Sequence, residues 1–204
     1  MRTEPADKRV FTFFDGQNVF HSVKEAFGYS YPNYDPLALS KLVCDLNGWK
    51  LEKVNFYTGI PEKSRNPYWH HFWEHKLGGM GKRGIATFSR AIRYFEEHVE
   101  LPDGSEKTFL VVKEKGIDVR IALDMVRLAR QNLYDVAVIF SQDQDLSEVA
   151  TEVREISNSQ DRWIKVACAF PQSPSFNQRG INGTDWIRID RLDYDKCLDP
   201  TDYR

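Results

Sequence analysis

Apolar residues in this chain gather into short runs separated by stretches of helical periodicity. Val10–Phe14 and Val136–Phe140 are nearly unbroken apolar runs, the mark of strands buried on both faces. Lys53–Thr58, Gly84–Ser89 and Trp163–Phe170 read as further strands, being β-branched or aromatic. Helices are predicted over Gln17–Phe27, Pro36 to about Leu46, Asn66–Gly78, Asp118–Gln131 and Leu146–Ile156, with Pro36 at the first position, where proline is favoured. Two extended segments between Ile92 and Val112 flank Pro102-Asp103-Gly104-Ser105, which predicts a hairpin inserted on the main sheet. Beyond Pro171 the pattern predicts loop, with one short extended piece at Trp186–Ile189. Strands alternating with helices predict an α/β fold, a mostly parallel sheet with helices on both faces. The 204 residues carry no repeats, low-complexity tracts or linkers. They are expected to form a single domain over 1–204, with a core at about 10–170 and a C-terminal extension, 171–204, packed on it.

Composition changes this picture little. The chain is 41% apolar and 28% charged, an ordinary globular balance, and its formal net charge is −2. A strongly basic protein is thereby excluded, so a nucleic-acid partner would need a local basic face. No apolar run reaches the length of a membrane span, and Met1–Lys8 lacks the apolar stretch of a secretory signal. The expected compartment is cytoplasmic. Cys44, Cys168 and Cys197 are odd in number, without metal-ligand spacing, and read as small buried hydrophobes.

The chemistry lies in the acids. Asp143 and Asp145, in Ser141-Gln-Asp-Gln-Asp145, follow the Val136–Phe140 run directly. A buried strand cannot hold them, so they emerge at its C-terminal end, where α/β sheets bind ligands. Asp15 follows Val10–Phe14 in the same way, with Gly16 permitting a tight turn and Asn18 placed to orient a carboxylate or a water. Capping of the following helix explains Asp15 taken alone. In the next long helix Arg120, Asp124, Arg127 and Gln131 form one polar stripe, read as the solvent face, while Asp118 lies about 200° around from it. Asp124 is accordingly assigned to surface ion pairs with Arg120 and Arg127 and set aside. Asp145 either ligates or caps the helix from Leu146, with Glu148 completing a capping-box-like pattern. Acids delivered by separate strand ends suit a hard divalent cation.

Three ordered motifs, Phe13-Phe-Asp-Gly-Gln-Asn18, Glu114-Lys-Gly-Ile-Asp-Val119 with Ala122-Leu-Asp-Met125, and Tyr134-Asp-Val-Ala-Val-Ile-Phe-Ser-Gln-Asp-Gln-Asp145, resemble those of the NYN family, the LabA-like branch of the PIN-like nucleases. The resemblance spans roughly Val10 to Phe170. It implies a Rossmann-like sheet, a Mg²⁺ or Mn²⁺ site at its C-terminal edge, and often hydrolysis of RNA. Gln142 stands where the family usually has Gly, and Leu146 where it usually has Phe; both changes keep the acids, though Gln142 reshapes the pocket rim.

The expected activity is therefore a metal-dependent ribonuclease, with Asp15, Asp118, Asp143 and Asp145 as metal ligands and Asn18 and Ser141 orienting them. A non-catalytic RNA-binding or regulatory module is the alternative. RNA is the expected partner, with DNA also open, no membrane contact, and room for a homodimer. Candidate backbone contacts are Arg65, Lys82, Arg83, Arg90 and Arg93, with Lys63 and Lys76 nearby. Tyr68–Trp73 offers aromatic surfaces for stacking, although the spacing of Trp69, Phe72 and Trp73 equally suits a core. His71 and His75 sit one turn apart with no further ligand to complete a zinc site. The loop Arg179-Gly-Ile-Asn-Gly-Thr-Asp185 is a second candidate rim. No phosphate-binding Gly-x-x-x-x-Gly-Lys loop is present, and Gln17 stands where a haloacid-dehalogenase pattern needs a second Asp.

Overall fold

The computed structural model describes residues 2–100, 105–174 and 178–203. In chain order the elements are β1 (Arg9–Asp15), α1 (Gly16–Phe27), α2 (Pro36–Asn47), β2 (Lys50–Ile60), α3 (Pro67–Lys82), β3 (Ala86–Ala91), β4 (Arg93–Glu100), β5 (Glu106–Lys113), α4 (Ile117–Arg130), β6 (Val136–Phe140), α5 (Ser147–Ser159), β7 (Lys165–Pro171), β8 (Asp185–Ile189) and α6 (Arg191–Asp195). A single 3-10 turn, Gln144–Leu146, leads into α5.

Six strands form one parallel sheet in the order β3-β2-β1-β6-β7-β8. The chain winds outward from β1 through β2 to β3, crosses back, and winds the other way from β6. The order in which strands are added therefore reverses between β1 and β6, and the crevice beyond their C-terminal ends is where such α/β sheets take ligands.

The alternation of the central strand explains the two cores. Phe13 and Phe14 are adjacent in sequence and so face opposite sides of the sheet. Phe14 stacks on Phe140 at 3.9 Å and joins the cluster built with Phe56, Tyr34 and Trp73. Phe13 joins Ile121, Met125, Tyr134 and Ile139 on the other side. Polar atoms buried on the way are paired: the Thr12 and Ser40 hydroxyls meet at 2.9 Å, and Asn55 Nδ2 donates to the Thr12 carbonyl.

Several boundaries differ from expectation. β2 runs from Lys50 rather than Lys53, and β3 begins at Ala86 rather than Gly84. α3 continues past Gly78, Gly79 and Gly81 to Lys82, held by Met80, which is fully buried. Burial of an apolar anchor outweighs the weak helix propensity of glycine. The expected hairpin exists as β4 and β5, antiparallel and forming a two-stranded sheet of their own; its tip at Pro102-Asp103-Gly104 lies outside the described residues. The short extended piece expected at Trp186–Ile189 is β8, the sixth strand of the main sheet, paired with β7 from Asp185 to Ile189, and the stretch expected to be loop after it holds α6.

The faces of α4 are the largest correction. The stripe taken for the solvent face holds a buried residue: Asp124 is 8% exposed, while Val119 and Leu123 are 55% and 62% exposed. Asp124 is ion-paired with Arg120 at 2.8 Å and Arg127 at 3.0 Å, as expected, but it also accepts from the buried Tyr57 hydroxyl at 3.1 Å. Its carboxyl would be raised by burial, yet the arginine and tyrosine donors outweigh this and hold it below its ordinary value.

Lys76, expected among the basic contacts, is instead fully buried. Its Nζ donates to Asp199 Oδ2 at 2.9 Å and to the Tyr34 carbonyl at 3.0 Å, tying α3 to the chain's last residues.

Candidate active site

Asp15, Asp143, Asp118 and Glu114 come to this edge from three segments: the end of β1, the loop after β6, and the turn between β5 and α4. Asp15 ends β1 and is 6% exposed. Its Oδ1 accepts from the Asn18 N–H at 3.1 Å, capping α1, and its Oδ2 accepts from the Ser141 hydroxyl at 3.4 Å. Capping is thus one of its roles. Burial, followed by the negative charges of Asp143 and Asp118, outweighs these donors and pushes its carboxyl up to about 6. Gly16 makes the turn possible. A Cβ there would lie 2.6 Å from Phe56 Cζ and 3.0 Å from the Tyr57 carbonyl, with the Phe56 ring fully buried. Gly16→Ala is therefore expected to destabilise the protein by about 1–3 kcal/mol, as overpacking does, measured by urea unfolding.

Asp143 caps the 3-10 turn, its Oδ1 accepting from the Asp145 N–H at 3.0 Å. Asp145 was considered above as the cap of the following helix; Asp143 fills that role one turn earlier, and α5 itself has no side-chain cap. The Asp145 side chain is exposed. Asp118 stands in the first turn of α4, half-exposed, after Gly116 in the left-handed conformation.

Glu114 is the acid that sequence reasoning passed over. It leaves β5 just ahead of α4 and accepts a hydrogen bond from the Gly59 N–H at the end of β2. Burial, then the charges of Asp15 and Asp118, push its carboxyl up to about 7. The signal was present in the quoted Glu114-Lys-Gly motif, but a charged residue at a hairpin exit reads as solvated. Gly59 is the other half of this arrangement, since a Cβ there would collide with the Glu114 carboxylate and with Ile92.

Asn18 and Ser141 hold this edge together. Asn18 Oδ1 accepts from the Gln142 N–H at 2.9 Å, and Ser141 Oγ accepts from the Asp143 N–H at 3.2 Å while donating to Asp15. Gln142, the departure from the usual glycine, donates through Nε2 to the Arg179 carbonyl at 2.9 Å. Gln144 donates to the Gly180 carbonyl and accepts from the Asn182 N–H, both at 3.2 Å. The Arg179–Asp185 loop is therefore drawn to the rim by the two glutamines.

These acids share an electrostatic environment without converging on one point. Among the described residues, no group of three or more His, Cys, Asp and Glu side chains is close enough to hold an ion. The basic candidates divide. Arg90 ends β3 with its guanidinium against Gly116, beside the acids, and stands 5.5 Å over the Phe88 ring. Arg65 lies 5.0 Å over Tyr94, and Arg93 opens β4. Lys82 and Arg83 precede β3, at the opposite end of that strand from Arg90, and Arg83 is held bidentate by Asp35 at 2.8 Å. In α3, Phe72 and Trp73 are buried while Tyr68 is 49% exposed. The His71 and His75 rings lie 3.9 Å apart, tilted by 40°.

Among the described residues, no helix is long and apolar enough to cross a membrane. A solved structure of a protein of unknown function from Vibrio parahaemolyticus shares the fold, with a TM-score of 0.54 at 17% identity over 94% of this chain and 98% of that one. The MurG structure from Acinetobacter baumannii gives a TM-score of 0.30 at 14% identity, over 79% of this chain and 35% of that one. No curated protein matches the chain. The NYN domain model matches residues 9–160, a span that takes in β1, the Glu114–Asp118 turn and the Ser141–Asp145 loop. With that match over most of its length, the chain belongs to the NYN domain family of the PIN-like nuclease superfamily.

Proposed function

We propose that the protein is a metal-dependent ribonuclease acting at the crevice between β1 and β6. The observation that carries this reading is the raised pair of acids at this edge: burial, then Asp143 and Asp118, raise Asp15, and burial, then Asp15 and Asp118, raise Glu114, a strain that a divalent cation would relieve. The donor set fits such an ion, because every group is a carboxylate oxygen of the kind Mg²⁺ and Mn²⁺ prefer. Asp15, Asp118 and Asp143 would hold it, with Glu114 beside them and Asp145 at the exposed edge. When bound, the cation would supply a water of lowered pKa and neutralise charge on the phosphate.

The chain's own residues do the rest. Ser141 and the Asn18 N–H fix the two Asp15 oxygens in place. Gly59 holds Glu114 half-buried beside these acids, where its carboxylate is placed to accept a proton near the phosphate. Arg90, at the rim, would position a phosphodiester beside the acids.

The test is cleavage of an end-labelled single-stranded RNA with Mn²⁺, with Mg²⁺ and with chelator. Cleavage is expected with metal and absent with chelator, and Asp118→Asn is expected to reduce it at least 100-fold without loss of folding, read by circular dichroism. Cleavage that persists in chelator, or in both Asp15→Asn and Asp118→Asn, would overturn the assignment. A second reading, RNA binding without cleavage, is favoured by the lack of a converged triad among the described residues. Its outcome is binding that is independent of metal and yields no product.

A further inference from the structure

Beside the acids lies a hollow of about 320 Å³, walled by Gln17, Phe20, Lys24, Trp69, Trp73 and Ile92. Its volume falls at the lower end of small-ligand cavities, enough for a single nucleoside-sized group. Trp73, buried, lies toward the core, while Phe20 and Trp69 are half-buried, their ring centroids 6.5 Å apart and tilted 45°. Lys24 is exposed and adds a cation to the lining.

The hollow is joined to the acid crevice by two of its own walls. Gln17 Nε2 donates to the Gly59 carbonyl at 3.3 Å, and the N–H of that same Gly59 holds Glu114. Ile92 packs so near Gly59 that a Cβ there would meet it at 2.8 Å. A second hollow, of about 490 Å³, shares Pro61 with the first and is lined by Lys63 and Arg90, together with Glu62, Glu74 and His70. A strand whose phosphates follow Arg90 past the acids would bring one base level with the aromatic hollow.

We propose that this hollow takes one unpaired nucleobase, packed against the Trp69 and Phe20 rings, so that the preferred nucleic acid is single-stranded next to the acids. This rests on the reading of the crevice as a nucleic-acid site. Aromatic faces accept any base by stacking, and a paired base cannot leave its helix without losing its own stack.

The experiment measures binding in chelator, where no cleavage is involved, by anisotropy of a fluorescein-labelled 12-nucleotide RNA. Three probes are compared: the single strand, the same strand in a duplex, and the strand with an abasic site scanned along it. Wild type is expected to prefer the single strand about 10-fold or more and to lose about 5-fold or more at one abasic position, the scale of one stacked base. Phe20→Leu and Trp69→Leu keep the hollow apolar, and thermal unfolding verifies that each folds. In both, single-strand affinity is expected to fall about 5-fold while the abasic penalty disappears. Equal affinity for single strand and duplex, or an abasic penalty that survives in both variants, would overturn the proposal even if metal-dependent cleavage is observed. Conversely, a lost abasic penalty without any cleavage would uphold the pocket and leave only the nuclease reading to fall.

Discussion

Lys76→Met is expected to lower the free energy of unfolding by about 3–5 kcal/mol, the usual result of removing one partner from a buried ion pair. Both side chains of the pair are essentially inaccessible, at 1% for Lys76 and 2% for Asp199. Burial pulls the lysine below its ordinary value, so the ammonium persists there because Asp199 is 2.9 Å away. Without it, Asp199 keeps the Thr201 N–H as a donor but has no compensating charge, and the Tyr34 carbonyl loses a donor too. Adding Asp199→Asn to Lys76→Met removes the stranded charge and is expected to recover much of the loss. Urea unfolding of both single variants and the double variant checks this. Equal stability of Lys76→Met and wild type would show that the pair is not what fastens Asp199 to α3.

Asp15→Asn is expected to abolish metal-dependent cleavage and at the same time stabilise the metal-free protein. Asn preserves the oxygen that caps α1, and its amide nitrogen would donate to the Ser141 hydroxyl instead of accepting from it, so the chief change is the charge. In the folded state the Asp15 carboxyl is raised from 3.8 to about 6, chiefly by burial and then by Asp143 and Asp118. Between those values the folded protein binds more protons than the unfolded chain, so stability falls as pH rises through this window and the penalty is complete above it. The elevation corresponds to as much as about 3 kcal/mol. The variant and wild type should therefore unfold alike near pH 3.5 and differ most near pH 8. Removing this charge also relieves Glu114, which acts in the same direction. Thermal unfolding in chelator at both pH values is the measurement. A variant less stable than wild type at pH 8 would show that the acid crevice carries no electrostatic strain.

The parallel sheet was legible because its central strands are fully buried, and residues buried on both faces leave an unbroken apolar run such as Val136–Phe140. The acids that follow such runs were legible for the same reason: Asp15 and Asp143 stand where the apolar runs stop, although Asp15 itself stays buried. β8 was legible as an extended piece but not as a strand of the sheet. It is an edge strand with Asp185 and Trp186 exposed, and its pairing to β7 is a long-range event with little local pattern. α4 misled in a specific way. Periodicity placed Arg120, Asp124 and Arg127 together correctly, but the hydroxyl of Tyr57, sixty-seven residues earlier, allows that cluster to be buried. The apolar Val119 and Leu123 are left outside. Lys76 shows the same blindness, since only the fold brings Asp199 to it. Glu114 was visible in its motif, but its role depends on a backbone N–H supplied by β2, which no local pattern specifies.

The β4–β5 hairpin begins and ends at neighbouring points. Ile92 donates its N–H to the Ile60 carbonyl, and Glu114 is gripped by Gly59, so both feet stand on consecutive residues at the tip of β2. Everything between them is a detour whose ends already meet. Its length can change at small entropic expense, since closure entropy grows only slowly with loop size. Related proteins are thus free to fit longer, shorter or differently charged arms at this joint, altering what is grasped while the carboxylates beneath keep their places.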